Sequence, residues 1–320
     1  MSRNEAEMGA RTRGGVRLRR TTLQKPRRLR PGAVIGIAAP ASPFDRESFE
    51  RGVQVLHSMG FETVVPEGLW AARGYLAGRD EHRADILQRL FADARIDAVI
   101  CARGGYGTLR ILPLLDYGRM AAYPKVLIGF SDATALLSAI TGRCGFVTFH
   151  GPVVTSLANA SDSTLAAVQA AIASDVPLIL KPQAAVSVRP GRAAGVVCGG
   201  NLTTLCHLLG TAFQPSFRNR ILFLEDRGEV PYRIDRMLTQ LKLAGCLKGI
   251  RGLVLGSFTD CGSVPEILEI VHDLFAETDI PILAGMEAGH ADPNRTLPLG
   301  AAAVLDADRQ SLSFERATVD

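Results

Sequence analysis

The chain has no apolar run of the ~18–20 residues that a membrane-crossing helix requires, so no helical span is legible in it. Its six cysteines, Cys101, Cys144, Cys198, Cys206, Cys246 and Cys261, contain no C-x-x-C pair and no Cys/His ligand spacing. That argues against a disulfide framework and a structural zinc site. Most of the six lie in apolar stretches, where cysteine behaves as a small hydrophobe. The glycine-rich turn Arg103–Gly107 has neither the G-x-G-x-x-G of a dinucleotide fold nor the Gly-Lys-Ser/Thr of a P-loop. There is no internal repeat. The first 30 residues lack the apolar core of a secretory signal, and a cytoplasmic location is the default expectation.

What is present describes a globular protein. The 320 residues are 47% apolar and 21% charged, enough for a buried core in two domains or one large one. The net charge of +4 is unevenly spread. Residues 1–30 carry ten Arg or Lys against two Glu, a local +8, so the remaining 290 sum to −4. Residues 1–30 therefore read as a basic, disordered, solvated tail. An acidic body beneath it argues against nucleic acid as a partner.

From Ala33 onward, short buried strands alternate with amphipathic helices. Ala33–Ala38, Glu62–Val65, Asp97–Cys101, Val126–Gly129 and Phe146–Phe149 read as strands. Phe49, Val53 and Leu56 mark one helix, and Ile86, Leu87, Leu90 and Phe91 another. Such alternation predicts an α/β fold with a parallel, Rossmann-like sheet over residues 31–175. Val176-Pro177, Lys181-Pro182 and Arg189-Pro190-Gly191 predict a linker over 176–192. A second domain over 193–320 follows. In it Gly199-Gly200-Asn201 reads as a turn into a helix, and Ile221–Leu224 and Leu253–Leu255 read as strands.

Gly129-Phe130-Ser131-Asp132-Ala133 joins a strand to a helix, which pushes a serine hydroxyl outward beside backbone N–H groups. Ala133 replaces the second glycine of a full G-x-S-x-G elbow. Arg103-Gly104-Gly105-Tyr106-Gly107 also follows a strand, and ligands in open α/β sheets gather at those ends. The N–H groups of Gly105 and Asp132 could together form an oxyanion hole. A serine needs a base, and the base needs an orienting acid. Among six histidines, His150 closes a strand and could line the cleft, whereas His290 lies in a polar, glycine-rich loop. Glu225 ends a buried strand, with Asp226 and Glu229 as competitors that spacing does not separate.

These segments, with Gly36–Ser42, His150-Gly151-Pro152, Gly199–Leu202 and Pro298-Leu299-Gly300, resemble the LD-carboxypeptidase family of serine peptidases. That family also contains the microcin-immunity peptidases. The resemblance runs from about Pro31 to Leu305. It implies a Ser131–Glu225–His290 triad. Arg103, by its charge beside the glycine loop, could attract a substrate carboxylate, and Gly104, Tyr106, His150 and Asn201 are further candidate substrate contacts. The resemblance also implies an N-terminal α/β domain and a C-terminal domain with a small barrel-like sheet and helices, often as a homodimer. No metal or organic cofactor is implied. The implied substrate is the cytoplasmic murein tetrapeptide of peptidoglycan recycling, cut before its terminal D-alanine. A sister activity on peptidyl-nucleotide or aminoacyl-sulfamoyl toxins would keep the same triad.

Overall fold

A computed structural model describes residues 23–320. Most of the expected tail lies outside the described residues, but residues 23–30 do not behave as a tail. Gln24 bridges to Phe146, Leu29 is buried, and the Arg28 N–H donates to the Asp320 carbonyl at 2.7 Å. An apolar side chain and main-chain bonds anchor this stretch to the body despite its charge.

The N-terminal half contains β1 (Val34–Ala38), α1 (Arg46–Ser58), β2 (Glu62–Val64), α2 (Asp80–Ala92) and β3 (Ala98–Cys101). It continues with α3 (Thr108–Ile111), α4 (Tyr117–Ala121), β4 (Val126–Gly129), α5 (Thr134–Cys144) and β5 (Thr148–His150). Two further helices, α6 (Val154–Leu157) and α7 (Asp162–Ile172), complete it. The next stretch is β6 (Ile179–Leu180), β7 (Val186–Arg189), β8 (Arg192–Asn201), α8 (Leu202–His207) and β9 (Arg220–Arg227). Then come α9 (Pro231–Leu243), β10 (Gly252–Thr259), α10 (Val264–Leu274) and β11 (Ile282–Ala284). The chain closes with β12 (Leu297–Leu299), β13 (Ala302–Asp306) and β14 (Ser311–Phe314).

Strands β1 to β5 form a parallel sheet, covered on both faces by helices, with spatial order β12-β5-β4-β3-β1-β2. Local sequence explains its helices. Asp45 caps α1 by accepting from the Ser48 N–H at 2.7 Å, and Phe49, Gly52 and Leu56 form its buried stripe. Gly52 is required there, because a Cβ would collide with the Val154 carbonyl of α6.

The second sheet has eight strands in the order β6-β14-β13-β8-β9-β10-β11-β7. Laid flat, eight strands at ~4.8 Å spacing would span about 34 Å. Yet the two edge strands, β6 and β7, are joined by residues 181–185 alone, which reach roughly 20 Å at most. The sheet must therefore curl into the barrel-like form expected. Residues 176–192 are accordingly not a linker, because their prolines flank two short edge strands, where proline is tolerated. Gly199-Gly200-Asn201 is likewise no turn but the end of β8. A Cβ on Gly199 would fall on the Phe223 carbonyl, and one on Gly200 would stand 2.6 Å from Thr134 Oγ1. The glycines permit close approach of two elements, a use that sequence alone does not distinguish from turning.

The two halves interlock. One continuous apolar cluster joins α5 residues such as Leu136 and Ile140 to Val197, Phe223 and Leu283 of the second sheet. Strand β12 leaves the C-terminal half and pairs antiparallel with β5, placing Leu297 opposite His150. The loop from β11 to β12 thus crosses from one sheet to the other, and His290 lies on it.

Candidate active site

Buried strand β4 ends at Gly129, and two residues later Ser131 takes φ +61°. That left-handed conformation costs a non-glycine residue about 1–2 kcal/mol and persists only where the surroundings enforce it. Gly104, on the loop after β3, leaves the serine room. A Cβ there would stand 2.9 Å from Ser131 Cβ and 3.1 Å from its hydroxyl oxygen. Among the described residues, the Gly105 N–H donates to no other main-chain group. The Asp132 N–H opens a helical turn, where N–H groups have no partner within the helix.

Side chains hold these loops together. Asp132 is buried and accepts from the Thr108 N–H at 2.8 Å, which ties the serine turn to the glycine loop. Burial raises the Asp132 pKa, and hydrogen bonding from Thr108 opposes that rise. Ser42, on the loop after β1, accepts from the Tyr106 N–H at 3.0 Å. Beneath them lies Arg83, only 2% exposed, which donates to the carbonyls of Pro40 and Gly107 and pairs with Asp80. Arg110 grips the same carboxylate through two nitrogens at 3.0 and 2.7 Å. Hydrogen bonding from Arg110, then Arg83, holds the Asp80 carboxyl below its ordinary range despite partial burial. Sequence reasoning missed Arg83. The available signal was a lone cation on the same helical stripe as Ile86, Leu87 and Leu90.

Glu225 and His290 meet. The imidazole Nδ1 lies 2.7 Å from Glu225 Oε2, with the carboxylate wholly buried. Burial raises the Glu225 pKa, and its bond to His290 counters part of the rise. The acidic alternatives are occupied elsewhere. Asp226 accepts from Asn201 Nδ2, from the Thr203 N–H and hydroxyl, and from the Arg227 N–H. Glu229 pairs at the surface with Arg233. The His290 loop is clamped by α7: the Thr164 hydroxyl donates to Asp292 at 2.6 Å and accepts from the Asn294 N–H at 2.8 Å. Asn294 in turn accepts from the Gly289 N–H at 3.0 Å. Phe130, adjacent to Ser131, lies with its ring 4.8 Å from that of His290. Ser131 and His290 both adjoin Phe130 and make no direct hydrogen bond with each other.

The other expected contacts divide. Arg103 is exposed and donates to the Pro43 carbonyl at 2.7 Å. Tyr106 is half-exposed, with its ring 5.7 Å from that of Tyr75. Asn201 caps α8 and braces Asp226, and its side chain also acts on Glu225, lowering that carboxyl's pKa. His150 does not line the cleft. It is fully buried between Phe130 and Phe223, and among the described residues neither ring nitrogen has a partner.

Burial pushes the His150 pKa down to about 3, with His290 nearby as the lesser cause. An unfolded histidine titrates near ~6.5. Above that pH both states are neutral and the residue adds no pH dependence. As pH falls from there toward about 3, only the unfolded chain takes the proton, and about 1.4 kcal/mol of stability is lost per pH unit. His150→Phe should flatten that part of the profile. Denaturant unfolding of both proteins from pH 7 to pH 4 checks it; parallel slopes would refute the assignment.

A hydroxyl on a strained strand-to-helix turn, at a junction that also holds an imidazole–carboxylate pair, is a site of the serine-hydrolase class. Among the described residues no three His, Cys, Asp or Glu gather as a metal site, and no helix is long and apolar enough to cross a membrane. Residues 35–151 match the model of the LD-carboxypeptidase N-terminal domain, and residues 194–305 that of the LD-carboxypeptidase C-terminal domain. The murein tetrapeptide carboxypeptidase of Pseudomonas aeruginosa is 36% identical over 291 residues, covering 86% of this chain and 94% of its own. A solved muramoyltetrapeptide carboxypeptidase from Oxalobacter formigenes superposes with a TM-score of 0.78 at 30% identity, covering 88% of this chain and 98% of that one. The microcin C7 self-immunity protein MccF in complex with aspartyl sulfamoyl adenosine superposes with a TM-score of 0.84 at 26% identity, covering 93% and 100%. The chain belongs to the LD-carboxypeptidase family, and with it to the serine carboxypeptidases.

Proposed function

We propose that the protein removes the terminal D-alanine from murein tetrapeptides, using Ser131 as nucleophile, His290 as general base and Glu225 as its orienting acid. The observation that carries this reading is the 2.7 Å bond from His290 Nδ1 to a wholly buried Glu225, at the junction that holds Ser131. A carboxylate on Nδ1 fixes the tautomer that leaves Nε2 free to accept a proton. Ser131 then attacks the amide carbonyl between the L-centre of a diamino acid and D-alanine. His290 takes the hydroxyl proton and delivers it to the leaving amine, and water hydrolyses the acyl-enzyme by the same route. The N–H groups of Gly105 and Asp132 stabilise the tetrahedral oxyanion, each worth on the order of 10²–10³ in rate. The chemistry needs no metal or cofactor. In this reading the enzyme acts in the cytoplasm, in peptidoglycan recycling, as a homodimer.

The higher identity to the murein enzymes puts that substrate first. The second reading, cleavage of aminoacyl-sulfamoyl nucleosides or peptidyl-nucleotides, is supported by the likeness to the immunity protein and uses the same groups. Incubation with a murein tetrapeptide, followed by mass spectrometry, should show loss of one alanine. No loss, together with hydrolysis of aspartyl sulfamoyl adenosine, would overturn the first reading in favour of the second.

A further inference from the structure

A cavity of about 380 Å³ opens between the two halves, away from the candidate active site. Its walls come from α5, the end of β8, residues 212–216, Arg220 at the start of β9, and Leu299 of β12. Two guanidinium groups line it, Arg143 from the N-terminal half and Arg220 from the C-terminal half, and no carboxylate does.

Arg143 is held ready. Its guanidinium lies 4.4 Å from the Phe213 ring centroid and 5.2 Å from that of Tyr117, and one nitrogen donates to the Ala212 carbonyl at 2.6 Å. This fixes the group, and among the described residues its other N–H groups have no acceptor. Arg220 is half-buried, and among the described residues its side chain has neither an ion-pair partner nor a hydrogen-bond acceptor. None of its nitrogens is among the buried side-chain atoms that lack a partner, so the group stays open to solvent and to a ligand. Arg143, exposed and bonded to the Ala212 carbonyl, and half-buried Arg220 bring two like charges to one cavity from separate halves. An anion between them offsets that like charge and gives Arg220 an acceptor. Beside them Phe213, Pro215, Ala139 and Leu299 offer an apolar wall.

We infer that this cleft binds a small organic anion whose carboxylate or phosphate bridges Arg143 and Arg220 while its apolar body packs on the Phe213 side. The occupant would clamp the two halves together. Because α5 begins at the Ser131 turn and lines the cleft near its far end, it would also brace the helix that carries the serine.

The test is calorimetric titration of the full chain at constant ionic strength, with phenyl phosphate, inorganic phosphate and neutral benzyl alcohol. Phenyl phosphate should bind saturably and several-fold more tightly than inorganic phosphate, with benzyl alcohol silent. Arg220→Gln should weaken binding at least about tenfold, as loss of a charge-assisted contact requires, and Ser131→Ala should leave it unchanged. If Arg143→Gln or Arg220→Gln compromises folding, Ser138→Phe, which fills the cleft from α5, should block binding with both arginines intact. A linear, non-saturating response would overturn the inference. So would affinity undiminished in Arg220→Gln or Ser138→Phe, or affinity lost in Ser131→Ala.

Discussion

Replacing Ser131 by alanine should lower kcat for D-alanine release by at least ~10⁴-fold with little change in KM. The substitution removes the attacking oxygen and nothing that holds the site together. The loops around it are fixed through Asp132, Ser42 and Arg83, none of which depends on the serine hydroxyl. Alanine also keeps the burden of φ +61°, so thermal stability should barely move. Ser131→Gly separates strain from chemistry. Glycine adopts that conformation freely, so this variant should be equally inactive yet melt about 2 °C higher. Steady-state kinetics and calorimetric Tm on the two variants check both halves of the prediction. Activity in Ser131→Ala above one-hundredth of wild type would remove the serine from the nucleophile role.

Glu225→Gln should reduce kcat by on the order of 10³–10⁴ while leaving the fold intact. Glutamine has the same shape but presents either an oxygen or an NH2 group to His290 Nδ1. When the NH2 faces the ring, Nδ1 must accept, the proton moves to Nε2, and the base can no longer take a proton from serine. The lost charge also no longer stabilises the imidazolium formed during turnover. Stability should hold, because removing a buried charge offsets the weakened bond. Asp226→Asn provides the contrast: it loosens the brace to Asn201 and Thr203 and should act on Tm more than on kcat. Equal kcat in Glu225→Gln and wild type would reopen the choice of acid.

The sequence alone determined what local pattern can carry. Short apolar runs separated by amphipathic helices are enough to define β1, β3, β4 and the helices on them, because burial on both faces leaves few other solutions. The strand-to-helix position of Ser131 and the glycine loop after β3 were legible for the same reason, and the family motifs singled out Glu225 and His290. Tertiary structure decided the rest. Arg83 reaches Gly107, and Asp292 and Asn294 reach Thr164, across 24 to 130 residues, and no local spacing encodes such contacts. His150 ends a strand in a position that reads as cleft-lining, yet Phe130 and Phe223 enclose it. Residues 176–192 read as a linker because proline and glycine break local structure, whereas here they bound edge strands of a curled sheet. Glycines 199 and 200 read as a turn, whereas here they let β8 approach β9 and α5. Local chemistry fixes which residues can act. Only the closing of one sheet against another fixes which of them meet.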